Sequence, residues 1–272
     1  MITCEEIYDL HTTGALESAL CEAYREIPLD SRNSMRKNDT PLHMACAFVD
    51  ENAVRILLER GADVNVRNDD GDTPLCVLAK RKCCGKETTI AGIAGLLVSK
   101  EARVPRSGKN TTALIEAVGN RHFLMADILL MSGCRIDSTN SNGNNVLHVI
   151  CQSAGDIAYD IKRTKERIAD FSERWYSEKD KREAYENMEY LEEADRQCFL
   201  TAKRILENGQ IDTEDKNNIG KTAFDIAMEE GARRIGALLS GQDPETDELS
   251  ALAGGLNVFQ ALWYKDMAAL DA

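Results

Sequence analysis

A short motif, in which a threonine or asparagine is followed by apolar residues, recurs along this chain at a nearly fixed spacing. It restricts the possible folds more than any other feature. The motif begins at Thr40, Thr73, Thr112, Asn145 and Thr222, and the successive spacings are 33, 39, 33 and 77 residues. Because 39 exceeds 33 by 6 and 77 exceeds 33 by 44, one period of 33 with two insertions explains all four. Such a period predicts stacked helical units, each contacting its neighbours.

Each unit reads as a helix pair followed by a turn. Thr40 and Thr73 supply an N-cap oxygen, and the proline after each is preset for the first helical position. A second apolar helix follows, as at residues 54–58, and Gly61 ends it in a left-handed cap. The polar, glycine-bounded segment 61–71 is typical of a projecting turn.

These units resemble ankyrin repeats. The segments 40–45 (Thr-Pro-Leu-His-Met-Ala) and 57–65 match the family's pattern nearly throughout. The third unit keeps the second-helix motif at 128–137 but has Ala113 for the proline, and the fifth keeps Gly-Lys-Thr-Ala at 220–223. The resemblance implies an all-α ankyrin-repeat solenoid of paired antiparallel helices with projecting turns.

The repeats divide the chain into three predicted regions. Residues 1–34 are a degenerate N-terminal capping repeat, because two short amphipathic helices flank Gly14 where a solenoid needs an end with a polar outer face. Residues 35–240 are the ankyrin repeat array. Residues 241–272 begin as an acidic linker and continue as an amphipathic helix, for which we consider two roles, a C-terminal helical cap or a partner-binding segment.

The two insertions have different compositions. The 6-residue insertion lies around 80–89 and contains four basic residues, which suits a solvated loop or a contact site. The 44-residue insertion, at about 152–200, spaces its apolar residues as two helix faces do. It predicts a projecting antiparallel helical hairpin, bent near 177–181, that either packs its apolar stripes together or offers one to a partner. We expect the hairpin to be dispensable for folding.

Charge and cysteine content narrow the possible partners. The formal net charge is −13 and the isoelectric point is near 4.9. Nucleic-acid binding draws its affinity from Lys and Arg that neutralise phosphates, so we expect no nucleic-acid partner. An acidic surface favours encounter with a basic protein, or serves solubility alone. The 9 cysteines are odd in number and mostly lie in apolar helical segments, which indicates reduced, buried thiols.

Membrane and export signals are not visible in the sequence. No apolar run reaches the ~18 residues needed to cross a bilayer, and the N-terminus has no basic region followed by an apolar run. We therefore expect a cytoplasmic monomer with no membrane partner. Secretion of a bacterial effector by a specialised machine is the alternative.

Motifs for catalysis, metal binding and cofactor binding are also missing. Gly-Lys-Thr at 220–222 resembles the end of a phosphate loop, but the required earlier glycine is replaced by Asp215. The family resemblance gives His43 and His148 a structural role in bridging turns, and no nucleophile is accompanied by a base. The adjacent cysteines 83–84 lack metal-ligand spacing. We predict no enzyme activity, no cofactor and no metal.

The resemblance implies a protein–protein interaction module that binds a partner protein through the concave surface made by turn tips and first helices. One alternative is an inhibitor or immunity-type protein that occludes a basic enzyme or toxin, with the hairpin as a wedge. Another is a bacterial effector with a small catalytic unit in the insertion or the C-terminal segment. The matching tip residues are Arg36, Lys37, Asp69, Asp70, Asp72, Lys109, Asn110, Asn142, Asn144, Asn218 and Lys221.

The matching positions on the first helices form a second set. Phe48 is a large aromatic residue there, and we consider two roles for it, an anchor for the partner or ordinary core under the first helix pair. The full set is Phe48, Lys80, Arg81, Asn120, Arg121, Gln152, Glu229 and Glu230.

Overall fold

The protein is described by a computed structural model over residues 2–82, 85–102, 112–172 and 176–241. Within these ranges the chain is helical and contains no β-strand, apart from an isolated bridge between Asn33 and Asp39. The all-α prediction is thereby confirmed. The C-terminal helix predicted after Gly241 lies outside the described residues.

The helices form six successive pairs, in which we call the first helix inner and the second outer. Inner helices contact inner helices of neighbouring pairs, and outer helices contact outer ones. The bounds are α1 Cys4–Thr13, α2 Glu17–Glu26, α3 Pro41–Phe48, α4 Glu51–Glu59, α5 Pro74–Ala79, α6 Glu87–Ser99, α7 Ala113–Gly119, α8 Phe123–Met131, α9 Val146–Ala169, α10 Glu178–Glu207, α11 Ala223–Glu229 and α12 Arg233–Leu239.

The recurring motif caps the inner helices. The side chains of Thr40, Thr73, Thr112, Asn145 and Thr222 each accept a hydrogen bond from the backbone N–H three residues later. Each cap contributes about 1 kcal/mol by satisfying a donor that has no partner inside the helix. The period in the sequence is therefore a period of helix starts, as predicted.

Histidines join an inner helix to the turn of the next repeat. His43 accepts at Nδ1 from the Thr40 backbone N–H at 3.2 Å, and its Nε2–H donates to the Asp72 carbonyl oxygen at 2.9 Å. In the fourth repeat, Nε2 of His148 lies 3.0 Å from the Lys221 carbonyl oxygen. The structural role expected for both histidines is confirmed.

The described cysteines are free thiols, and all except Cys21 are buried. Burial raises the pKa of Cys4 and of Cys151 to about 12, because the thiolate would lose its hydration. These thiols are therefore protonated and act as small apolar core residues, as the sequence predicted.

The large insertion prolongs the two helices of the fourth repeat. Inner helix α9 has 24 residues and outer helix α10 has 30, and a 3-10 turn at Asp170–Ser172 follows α9. At 1.5 Å per residue, α10 is about 45 Å long. Ala184, Met188 and Leu191 are buried, so the hairpin packs its own apolar stripes together.

The hairpin is also bonded to other repeats. Asp160 pairs with Arg121 of the third repeat at 2.9 Å, and the Tyr190 hydroxyl donates to Glu87 of the second at 2.9 Å. Ile157 belongs to the main core of the array. The inserted region is thus less independent than the sequence suggested, because its base shares buried surface with the repeats around it.

Protonation of buried histidines should destabilise the fold. Burial lowers the pKa of His11, His43 and His122, since a charged ring would be poorly solvated there. An unfolded imidazole has a pKa of about 6.5, so below that pH the unfolded chain binds more protons than the folded one. We expect urea denaturation at pH 7.5 and 5.5 to show a lower free energy of unfolding at pH 5.5, by up to ~1.4 kcal/mol per pH unit for each histidine. His43→Gln should show a smaller pH dependence; an unchanged dependence would contradict the assignment.

Glycine should be required at position 155, because the last described repeat packs too closely there to leave room for a side chain. A Cβ atom at Gly155 would lie 2.3 Å from Glu230 Cβ and 2.9 Å from the Glu230 carbonyl oxygen. Gly155→Ala should therefore lower the free energy of unfolding by about 1–3 kcal/mol. In the control Gly95→Ala, within α6, the new Cβ meets nothing within 4 Å, and a gain of about 0.5–1 kcal/mol is expected. Equal effects in urea denaturation would show that the contact is relaxed in solution.

Candidate partner-binding surface

The turn tips and inner helices form one side of the array, which we call the inner surface. A groove of about 490 Å³ lies on it, between the first two turns and helices α3 and α5. Six residues proposed from the sequence line this groove: Arg36, Lys37, Asp70, Asp72, Lys80 and Arg81.

An asparagine stabilises each described turn between repeats. Asn68 Oδ1 accepts from the backbone N–H groups of Asp70 and Asp72, at 3.1 and 3.0 Å. Asn140 and Asn217 accept in the same way, each from the residues two and four positions later. The inner surface is therefore edged by turns whose backbone is held by local hydrogen bonds.

Adjacent turns are bonded to one another. The backbone N–H of Asp69 donates to the Lys37 carbonyl oxygen at 2.8 Å, and Asn68 Nδ2 donates to Asp39 Oδ1 at 2.8 Å. Asn217 Nδ2 donates to Asn144 Oδ1 in the same manner, at 2.9 Å. These bonds set the spacing of the tips before any partner arrives.

Two residues assigned to the exposed tips are buried instead. Asp72 is 3% exposed and pairs with Lys80 at 2.5 Å, and Asn144 is 3% exposed and serves as an acceptor for the next turn. The placement of both at the exposed tips is therefore wrong. Their position in the turn faces the neighbouring repeat, which a repeat pattern alone does not show.

Several charged groups of the groove occur in pairs. Lys37 pairs with Asp70, and Arg36 lies 3.9 Å from Asp39. The hydrogen bond to Asp70 raises the pKa of Lys37. Because the Lys37 side chain is 58% exposed, such a pair contributes little to stability, about 0–1 kcal/mol. An incoming partner can exchange these pairs at small cost.

Met35 and Tyr8 are among the groove residues that the sequence analysis missed. Met35 is 84% exposed at the first tip, and Tyr8 of α1 lies beneath Arg36, whose guanidinium carbon is 5.0 Å from the ring centroid. A methionine inside a polar turn was the available signal for Met35. Nothing in the sequence indicated that Tyr8 would reach the groove, since its helix precedes the first clear repeat.

Phe48 packs against the N-terminal helix pair. Its ring stacks on His11 with centroids 4.0 Å apart and planes 7° apart, and it lies 5.6 Å from the Tyr8 ring. The side chain is half-buried. These contacts favour the role of core under the first helix pair, while a further role in partner binding stays a prediction.

The remaining proposed residues differ in whether they have structural contacts or are exposed. Asn120 donates to the Ala79 carbonyl oxygen at 3.0 Å and Arg121 pairs with Asp160, so both have structural contacts. Lys221 pairs with Glu229. Lys109 and Asn110 lie outside the described residues. The exposed members are Asp69, Asn142, Gln152, Asn218, Glu229 and Glu230.

Helix α9 continues the inner surface beyond the usual length of a repeat. Gln152, Asp156, Tyr159 and Arg163 are all exposed and follow one another by four, three and four residues, so they share one helix face. Tyr159 is 66% exposed. The sequence analysis overlooked it because it treated the inserted segment as a separate hairpin rather than as a prolonged inner helix.

In the part of the chain that the structure describes, no group of three His, Cys, Asp or Glu side chains is arranged to hold a metal ion. Nor does any described helix have the length and apolar character needed to cross a membrane.

The stacked helix pairs, the capped inner helices and the bonded turns define a repeat solenoid. Residues 27–76 match the family model for ankyrin repeats in many copies. Residues 27–76 are therefore ankyrin repeats, and the recurring turn geometry extends the likeness to the repeats that follow.

The chain is similar to several curated proteins, which include the following two. An ankyrin repeat-containing protein of Schizosaccharomyces pombe is 34% identical over 68 residues, which are 22% of this chain and 33% of that protein. Phosphocholine transferase AnkX of Legionella pneumophila is 26% identical over 202 residues, which are 70% of this chain and 20% of AnkX. The chain thus spans a third or less of the length of these relatives.

The asparagine that holds the backbone of a turn should contribute more to stability than the exposed residue at the tip of that turn. Asn140→Ala removes the acceptor for two backbone N–H groups, so we expect the free energy of unfolding to fall by about 1–3 kcal/mol. The matched control in the same turn is Asn142→Ala, whose side chain is exposed and which should stay within about ±0.5 kcal/mol. Urea denaturation of both variants checks this; a larger loss in the control would refute the turn assignment.

Proposed function

We propose that this chain is a protein–protein interaction module that holds a partner protein along its inner surface. The observation that carries this is the groove of about 490 Å³ between the first two repeats, whose lining includes six of the residues expected from the repeat pattern. Extended surfaces of this kind are what stacked repeats provide.

The groove suits a partner segment with both apolar and charged side chains. Met35 provides apolar area at the rim, and the paired charges inside can be exchanged for charges of the partner. Since the turns are already bonded to one another, little ordering of the backbone opposes binding. The net charge of −13 favours the approach of a basic partner.

The prolonged helix α9 adds a second contact region. Tyr159 is an exposed aromatic residue on the same helix face as Gln152, and aromatic residues are frequent anchors in interfaces. This projecting helix also supports the more specific alternative of an inhibitor, in which the hairpin occludes the active site of a basic enzyme. Scaffold and inhibitor differ only in what binding does to the partner.

An enzymatic role is a third candidate, and the name of AnkX is what favours it. The match covers 20% of AnkX, so that protein's phosphocholine transfer is not carried over to this chain. Among the described cysteines, Cys4 and Cys151 are buried with raised pKa values, which makes them poor nucleophiles. We therefore rank binding ahead of catalysis.

The experiment is capture of partners on the full chain, identification by mass spectrometry, and measurement of Kd by calorimetry. We expect Met35→Ala or Tyr159→Ala to weaken binding about tenfold or more, which corresponds to ~1.4 kcal/mol. The matched control is Met131→Ala, 83% exposed on outer helix α8, which should leave Kd nearly unchanged. If only the control weakened binding, the inner surface would be the wrong face.

A second measurement separates the three candidates. The recovered partner is assayed for its own activity with and without the chain, and for transfer of a labelled phosphocholine group. A loss of partner activity indicates an inhibitor, an unchanged activity indicates a scaffold, and labelling would place catalysis first.

A further inference from the structure

The last described repeat exposes apolar side chains on the face where another repeat would stack. Phe224 and Met228 lie one helical turn apart on α11, and they are 39% and 56% exposed. Both lie close to Gly236 of α12: a Cβ atom there would be 3.4 Å from Met228 Sδ and 4.0 Å from Phe224 Cε2. The apolar area therefore spans both helices of the repeat, and we call it the end face.

Equivalent positions in the earlier repeats indicate the structural role of the end face. Phe224 is the second residue after its N-cap and Met228 the sixth. At the second position the other repeats have Leu42, Leu75, Leu114 and Leu147, and at the sixth they have Cys46, Ala79, Val118 and Cys151; all eight are 0 or 1% exposed. Every one of these repeats is followed by another helix pair. The two positions are therefore stacking positions, left uncovered by the described part of the chain.

An uncovered stacking position is costly at the end of a solenoid. Terminal repeats of such arrays carry a polar outer face, because apolar area left in water favours association. Phe224 and Met228 do not meet that requirement. A further segment that covered them would remove this apolar area from water.

The turn after α12 has the same conformation as the turns that lead from one repeat into the next. Its Gly241 has φ +73°, and Gly61, Gly133 and Gly209 adopt the same left-handed conformation after α4, α8 and α10. In those three cases the turn is followed by a further helix pair. The turn at Gly241 is therefore compatible with a following segment that packs on the end face.

The sequence of that segment has the required character. Apart from the adjacent pair Leu262 and Trp263, its apolar residues follow one another at intervals of three and four, and acidic residues occupy the linker before them. The length from 242 to 272 is close to one period of the array. The apolar members are Leu249, Leu252, Leu256, Phe259, Leu262, Trp263, Met267 and Leu270.

We propose that residues 249–270 of this chain bind the end face and cover Phe224 and Met228 in place of a further helix pair. The segment is then an internal cap, and it is not free to hold a partner while it is bound there. This inference does not depend on the groove or on the partner proposed above.

Trp263 reports the proposed contact in the full chain. The sequence has 2 tryptophans, so Trp175→Phe leaves Trp263 as the single indole fluorophore. We expect blue-shifted emission and weak quenching by acrylamide in the monomer. Adding Met228→Asp should shift the emission to the red and raise the quenching constant severalfold, because a carboxylate would be buried against the segment. The matched control Met131→Asp, at an exposed site on α8, should change neither.

A second variant separates release of the segment from loss of folding. Leu256→Asp changes the segment and leaves every described residue intact, and it should release Trp263 while circular dichroism shows the array still folded. Light scattering at several concentrations accompanies each measurement. An exposed Trp263 in the monomer would overturn the proposal. So would protection of Trp263 that appears only in a dimer, since a second copy would then cover the end face, or only after a partner is added.

Discussion

The stacking of the repeats depends on hydrogen bonds that connect the start of one inner helix with the turn of the next repeat. A threonine or asparagine caps the helix, and in two repeats a histidine three residues later reaches the following turn. Each turn would otherwise leave buried backbone groups without partners, which costs about 1–3 kcal/mol per group. The capping site, the turn and the stacking of neighbours are therefore one structural unit that recurs along the chain.

This arrangement explains how the array tolerates a large insertion. His43 contacts a carbonyl 29 residues away and His148 one that is 73 residues away, yet the two contacts have nearly the same length, 2.9 and 3.0 Å. The extra residues leave the array between the two helices of one repeat, at the end opposite the turns, so the turn-to-turn bonds are undisturbed. The helices simply continue, and the prolonged inner helix adds exposed surface next to the candidate partner-binding residues. An insertion in a turn would have interrupted the bonds between neighbouring repeats.

The same bonds shape the surface offered to a partner. The asparagine of each described turn holds the backbone, and its amide joins the preceding turn in the first two repeats and again in the last two. Polar side chains that the sequence places at the surface, such as Asp72 and Asn144, are buried and take part in this network. What remains for a partner is a mixture of exposed, paired charges and a few apolar or aromatic side chains, which include Met35 and Tyr159. Recognition would then rest on few side chains displayed by a rigid framework.

The period, the all-α class, the helix starts and the free buried cysteines could all be predicted from the sequence, because capping and amphipathic spacing act between residues a few positions apart. The sequence could not show that Phe48 stacks on His11, that Asp72 is buried, or that Gly155 must admit Glu230. Those contacts join residues 37 or more positions apart, or depend on which face of a turn meets the next repeat. Only the tertiary structure decides them, because burial is a property of neighbouring repeats together, and the sequence pattern of a single repeat contains no record of what packs against it.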